Sequence, residues 1–224
     1  MFIYFCIVED LVNPSDLTKP PTSKGMQTAD RVRRAALKLF ARYGYAAVSM
    51  RQIAGEVGVQ PGALYNHFRT KQDILKDLML THMADLIAAW DTELEHAAST
   101  CDPLETFTRF HIRYHLERAD AVFVSYMELR NLEPENFRSV EAERRRYESI
   151  LTNILAQGAA DGRYVIDDPK VTTRALIAML TGIPTWFRNG GGLSRAEVED
   201  LYTALARKAV SAHPAGKETG ERMA

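Results

Sequence analysis

Gln60, Ala63, Tyr65, Asn66 and His67 fall within a run of eight residues, and together their side chains suit contact with a nucleic-acid duplex. Glutamine and asparagine amides pair with an adenine edge, and an alanine methyl sits against the methyl of thymine. Tyrosine and histidine beside them reach phosphate oxygens, which set register without carrying sequence information. Pro61 and Gly62 open the run, Arg51 and Lys71 flank it, and the N–H groups of a helix opening at Lys71 offer a further phosphate contact. A side chain reads a base only when a rigid element carries it into the major groove, so the surrounding sequence must supply that element.

Ser49 to Lys71, SMRQIAGEVGVQPGALYNHFRTK, supplies it. The spacing predicts a helix, a tight turn at Gly58 and a short second helix from Pro61, which is a helix-turn-helix. Ser49 with Gln52 three residues on makes a capping box. Pro61 suits a first helical position, where no N–H is needed. Ile53, Ala54, Val57, Val59, Leu64 and Phe68 form the internal core of the unit. Ahead of it, Val32, Ala35, Ala36, Leu39, Phe40 and Tyr43 recur along one helical face, and Gly44 stops that helix. Met26–Gln72 holds eight basic residues and two acids, a charge of +6. The whole chain carries −1, so the remainder carries −7. A basic head on an acidic body implies a polyanionic partner for the head alone.

The rest of the 224 residues reads as helix. Thr70 with Asp73, Asp102 with Pro103 and Glu105, Asp120, Pro134, Asp168 with Pro169, and Ser194 with Glu197 mark successive helix starts. Gly158 and Gly162 close the helix begun at Pro134, and no strand alternation occurs. The expected class is all-α, with about nine helices. We divide it into a flexible extension (1–25), a helix-turn-helix DNA-binding domain (26–72), a helical ligand-binding and dimerisation domain (73–213) and a disordered tail (214–224), the working chain beginning near Met26. The opening MFIYFCIVEDLV is shorter than the ~20 apolar residues of a membrane span and lacks a signal peptide's basic start. Two distant cysteines, Cys6 and Cys101, fit reduced thiols in a cytoplasmic protein.

The run ALKLFARYGY, the turn IAGEVGV and the string PGALYNHFRTKQDIL closely resemble the TetR-type (tetracycline-repressor-like) bacterial transcription regulators. The resemblance implies that Tyr65, His67 and Lys71 touch phosphates and that Gln60, Gly62 and Ala63 face bases. Relatives often carry Ser or Thr near Gln60; glutamine caps poorly, so the reading helix must rely on Pro61 for its start. The resemblance also implies a homodimer joined through a four-helix interface. Ala175, Ala178, Met179 and Gly182 offer a small-sided face for it, and Leu201, Leu205 and Ala209 an apolar one.

The middle helices carry Trp90, Phe107, Phe110, Tyr114, Phe123 and Tyr126, a set that could line an apolar pocket. Arg130, Arg174 and Arg188, with Trp186 beside the last, would add phosphate and stacking contacts, and the combination suits an acyl chain on a phosphorylated nucleotide such as a coenzyme A thioester. The segments GRYVIDDPKV and TWFRNGGGLS are similar to the C-terminal region of TetR-type regulators of lipid or acyl-CoA catabolism. Two rivals remain: a flat or cationic drug-like inducer held by aromatics and an acid such as Glu128, and an architectural DNA-binding protein with no ligand. His111 and His115 have metal-ligand spacing, but no clustered carboxylate or cysteine supports them, and a pocket-lining or buried role is the plainer reading. No phosphate loop or catalytic grouping is seen, so we expect neither cofactor nor enzyme activity.

Overall fold

The computed structural model describes residues 23–96 and 101–211. Among these the chain forms ten α-helices, one 3-10 turn at Leu129–Asn131 and no strand. In order the helices are α1 (Ser23–Tyr43), α2 (Met50–Val57), α3 (Pro61–Leu64), α4 (Lys71–His96), α5 (Pro103–Glu117), α6 (Ala119–Met127), α7 (Pro134–Ala160), α8 (Pro169–Thr181), α9 (Ile183–Trp186) and α10 (Arg195–Ser211). The architecture is all-α, as expected; the helix beyond the nine expected is α9, a single turn around Pro184. The expected disordered tail lies outside the described residues, as does most of the N-terminal extension. α1 begins at Ser23, however, within the stretch expected to be a flexible lead-in.

Local chemistry sets most helix ends. The Ser49 hydroxyl accepts from the Gln52 N–H while the Gln52 side chain accepts from the Ser49 N–H, a reciprocal cap. Thr70 and Asp73 repeat the exchange at the start of α4, and Ser194 and Glu197 at the start of α10. Asp102 and Asp168 each accept two backbone N–H groups opening α5 and α8. Gly58 takes φ 74°, which turns the chain between α2 and α3 and lets the Val59 N–H reach the Ala54 carbonyl.

Gly158 has a different role from the expected one. α7 continues through it to Ala160, and a Cβ there would lie 2.1 Å from the Tyr164 ring. It is a packing glycine that seats Tyr164, whose hydroxyl donates to Asp102 at 2.8 Å. Gly162, at φ 72°, closes the helix.

The head and body share one core. Phe40, Ile53 and Leu64 of α1–α3, and Phe68 just after them, cluster with Ile74, Leu75 and Met79 of α4 and with Val124, Leu132 and Val140 of the body. A second core joins Met83, Leu86, Trp90, Phe107, Tyr147 and Leu151. α4 runs through both cores, and α6 packs on α1. Movement of α4 or α6 is therefore felt directly by the head. No described helix is long and apolar enough to cross a membrane.

Candidate nucleic-acid interface and effector cavities

The helix-turn-helix presents its candidate reading residues outward. Ile53, Ala54 and Leu64 are wholly buried, with Val57 and Phe68 nearly so, and Val59 is half-buried against them. Gln60, Pro61, Gly62, Tyr65 and Asn66 are exposed, Ala63 and His67 half-buried, and Arg51 is exposed on α2. Tyr65 keeps 52% of its surface in solvent, and a Cβ on Gly62 would meet nothing within 4 Å. α3 begins as expected: Gln60 makes no side-chain cap, and Pro61 occupies the first turn. The structure thus brings the expected reading residues into one solvent-facing strip.

Lys71 departs from expectation. Its ammonium donates to the Tyr45 carbonyl at 2.8 Å and the Val48 carbonyl at 2.7 Å, and lies 4.2 Å from the Tyr45 ring centroid. Desolvation at this half-buried position lowers its pKa. The side chain ties the α1–α2 turn to the start of α4. Part of the basic face is likewise engaged. Arg31 donates to the Val57 carbonyl at the end of α2, and Arg33 pairs with Asp77 and Asp30, each at 2.6 Å. Arg34, Arg42, Arg51 and Arg69 remain exposed.

A hydrogen-bonded joint links head to body. Glu128, 6% exposed, accepts from the Tyr45 N–H at 3.2 Å and from the Asn131 amide. Gln72 donates to the Tyr45 hydroxyl at 2.9 Å and the Asn131 carbonyl at 2.6 Å, and accepts from the Glu133 N–H at 3.1 Å. The carboxylate weighed as an inducer's counter-ion is therefore occupied by the protein's own donors.

The ten residues expected to line one ligand pocket do not converge. Trp90 and Phe107 are buried at 2% and 0% exposure, with ring centroids 5.2 Å apart, and serve as core. Phe110 and Tyr114 border a cleft of about 450 Å³ between α4 and α5, with Arg113 and Arg118. Phe123 and Tyr126 line a smaller cavity of about 230 Å³ beside Thr181 and Pro184, reaching Ala41 of α1. Arg174 lies in a groove of about 760 Å³ between α7 and α8, where Arg144, Arg145 and Lys170 join it. Trp186 is exposed and stacked 6.2 Å from Tyr202, Arg188 donates to the carbonyls of Thr185 and Phe187, and Arg130 is exposed on the 3-10 turn.

The sequence reading missed His82 and Arg144. His82, His111 and His115 form a buried aromatic group with Tyr114, Tyr126 and Tyr147. His111 bonds the Tyr147 hydroxyl at 3.0 Å and the Thr181 hydroxyl at 3.2 Å. Burial first, then the charges of Arg118 and Arg144, hold His82 down to about 4. Burial and the neighbouring His82 bring His115 to about 3. All three imidazoles are neutral at pH 7. No set of three or more His, Cys, Asp or Glu among the described residues could hold a metal ion.

Residues 32–78 match the family described as bacterial regulatory proteins, tetR family, and residues 97–210 match the tetracyclin repressor-like C-terminal domain. Over 181 residues, 79% of this chain and 87% of the relative, the sequence is 27% identical to the HTH-type transcriptional repressor KstR2 of Mycolicibacterium smegmatis. A tetR-family regulatory protein from Rhodococcus RHA1 superposes with a TM-score of 0.76 at 26% identity, covering 86% of this chain and all of that one. AibR, solved in complex with isovaleryl coenzyme A and operator DNA, shares the fold with a TM-score of 0.72 at 21% identity, over 80% of this chain and 97% of its own. With an N-terminal helix-turn-helix match and a C-terminal match that spans half its length, the chain belongs to the tetR family of bacterial transcription regulators.

Proposed function

We propose that the protein is a repressor that binds palindromic operator DNA as a homodimer in the cytoplasm and is released by a small molecule, an acyl coenzyme A thioester. The observation that carries the reading is the solvent-facing strip Gln60–His67 on a rigid, buried helix-turn-helix. Gln60, Gly62, Ala63 and Asn66 would face base edges, and Tyr65, His67 and Arg51 phosphates.

One head covers only a few base pairs, and two heads about 34–36 Å apart reach successive major grooves. Exposed apolar residues support a twofold contact: Val171, Ala175 and Ala178 on α8, and Leu201, Leu205 and Ala209 on α10. Leu201 and Leu205 leave 51% and 46% of their surface in solvent, more than a helix of an isolated body would gain from. For the effector, the groove with Arg144, Arg145, Lys170 and Arg174 offers guanidinium and ammonium groups to phosphates. AibR was solved with isovaleryl coenzyme A, and KstR2 is named a repressor, which supports the same class here.

Ligand binding would shift α4 and α6 against α1 and so change the spacing of the two heads. A coupling of ~1–3 kcal/mol suffices, because it weakens DNA binding about 5–150-fold. The test is an operator selected from a random duplex library, shifted by the purified chain and challenged with isovaleryl, octanoyl and palmitoyl coenzyme A. We expect a dimer in light scattering and release of the duplex by an acyl coenzyme A. Operator binding indifferent to every thioester but relieved by an unrelated drug would refute the effector class. A monomer that binds no duplex would refute the whole reading.

A further inference from the structure

From Gly58 to Phe68 the chain holds no Lys, Arg, Asp or Glu, although this stretch carries the helix that faces a duplex. Gln60, Gly62, Tyr65 and Asn66 are exposed there, and Ala63 is half-buried. The Gln60 side chain takes no part in capping α3, so its amide is free to turn outward. Gly62 and Ala63 together offer a single methyl. A Cβ on Gly62 would meet nothing within 4 Å, so the backbone there stands open to a close neighbour.

The packing keeps nearby cations from filling that gap. The Lys71 ammonium is held by the Tyr45 and Val48 carbonyls. Arg31 donates to the Val57 carbonyl, Arg33 is paired with Asp77 and Asp30, and Lys38 lies 3.6 Å from Glu56. The exposed Arg51 and Arg69 stand off α3, in the first turn of α2 and just ahead of α4. In the major groove guanine is read chiefly by a guanidinium or ammonium group bonded to O6 and N7, and cytosine by a carboxylate that accepts from N4. α3 has neither. Its two carboxamides match the N6–H and N7 of adenine, and its small apolar surface suits the methyl of thymine.

We propose that the base pairs under α3 in each operator half-site are A·T, with Gln60 and Asn66 each paired to an adenine edge and Gly62–Ala63 seated on a thymine methyl. Guanine and cytosine are confined to positions outside the reach of α3. This rests on the duplex-reading surface proposed above and needs neither an effector nor its class. It adds the identity of the pairs that the operator holds there, a property set by the charge missing from α3 and by cations that the fold ties down elsewhere.

The test is selection of a random duplex library by the full chain, sequencing of the enriched pool, and fluorescence anisotropy on single-pair variants at fixed salt. Gln60→Arg and Asn66→Ala locate α3 on the site, as the positions whose base preference changes. We expect A·T at those positions in the wild-type pool, with each exchange for G·C weakening binding about 5- to 150-fold. Deoxyuridine in place of the contacted thymine should weaken binding about fourfold, the worth of one buried methyl. Gln60→Arg should move one position from A·T to G·C, with at least about tenfold preference for the new pair. Gln60 caps nothing, so this variant should keep the fold, which thermal unfolding checks. A base preference unchanged in both folded variants would overturn the proposal. An enriched duplex with G·C at the positions those variants re-specify removes this inference and leaves the DNA-reading head standing. A chain that enriches no duplex removes both.

Discussion

Replacing Glu128 by Gln isolates the joint through which the body addresses the head. The carboxylate is buried and accepts two donors, the Tyr45 N–H at 3.2 Å and the Asn131 amide. Hydrogen bonds to a charged group contribute roughly 1.5–3 kcal/mol each and neutral ones roughly 0.5–1.5. Glutamine keeps an acceptor for Tyr45 but turns an amide nitrogen towards Asn131, which must flip to restore the pair. We therefore expect a net loss of about 1–3 kcal/mol, seen as a Tm lowered by about 2–12 °C for a chain of this size. The same change should raise the Kd for operator, because the Tyr45 backbone that Glu128 holds is also the anchor for Lys71. Fluorescence anisotropy with a labelled duplex, beside differential scanning calorimetry, measures both. An unchanged Tm would show that Glu128 is worth no more than its neutral isostere. A lowered Tm with wild-type operator affinity would refute the claim that this joint positions the head.

The remaining predictions concern charge, packing and pH. Lys71→Met should cost about 2 kcal/mol of stability in urea unfolding by freeing the Tyr45 and Val48 carbonyls, yet leave the salt dependence of DNA binding near wild type, whereas Arg51→Ala should reduce the log–log salt slope by about one. A slope lowered equally by both would return Lys71's side chain to the phosphates. Gly158→Ala should cost about 1–3 kcal/mol, because its methyl would overlap the Tyr164 ring and disturb the bond from Tyr164 to Asp102; a midpoint in urea equal to wild type would contradict that packing. The depressed pKa values of His82, about 4, and His115, about 3, mean that the unfolded chain binds protons first as pH falls through 6.5. Their contribution is fully present above that value and should be lost at up to about 1.4 kcal/mol per histidine per pH unit below it, in a pH series of unfolding curves; His82→Leu with the same acid sensitivity as wild type would refute it.

Much of the head was legible in the residues because its rules act within one or two turns. The Ser49–Gln52 exchange, the left-handed Gly58, Pro61 at the start of α3 and the buried sides of Ile53, Ala54 and Leu64 all follow from spacing. The same holds for the aspartate caps of α5 and α8. Gly158 was misread because a helix-ending glycine and a packing glycine look alike until Tyr164 is brought against it.

The ligand side was far less legible. An aromatic residue on an amphipathic helix has the same spacing whether it fills a core, as Trp90 and Phe107 do, or borders a cavity, as Tyr114 and Tyr126 do. Sequence alone determined an all-helical chain with a helix-turn-helix in its basic segment, because caps, turns and apolar periodicity are settled between near neighbours. Tertiary structure alone decided that Lys71 belongs to carbonyls 26 and 23 residues away, that Glu128 belongs to a backbone N–H 83 residues away, and that the His82 ring packs against those of Tyr114 and His115. Backbone groups carry no residue-specific mark in a sequence, and which helix faces meet is fixed by the packing of all of them together.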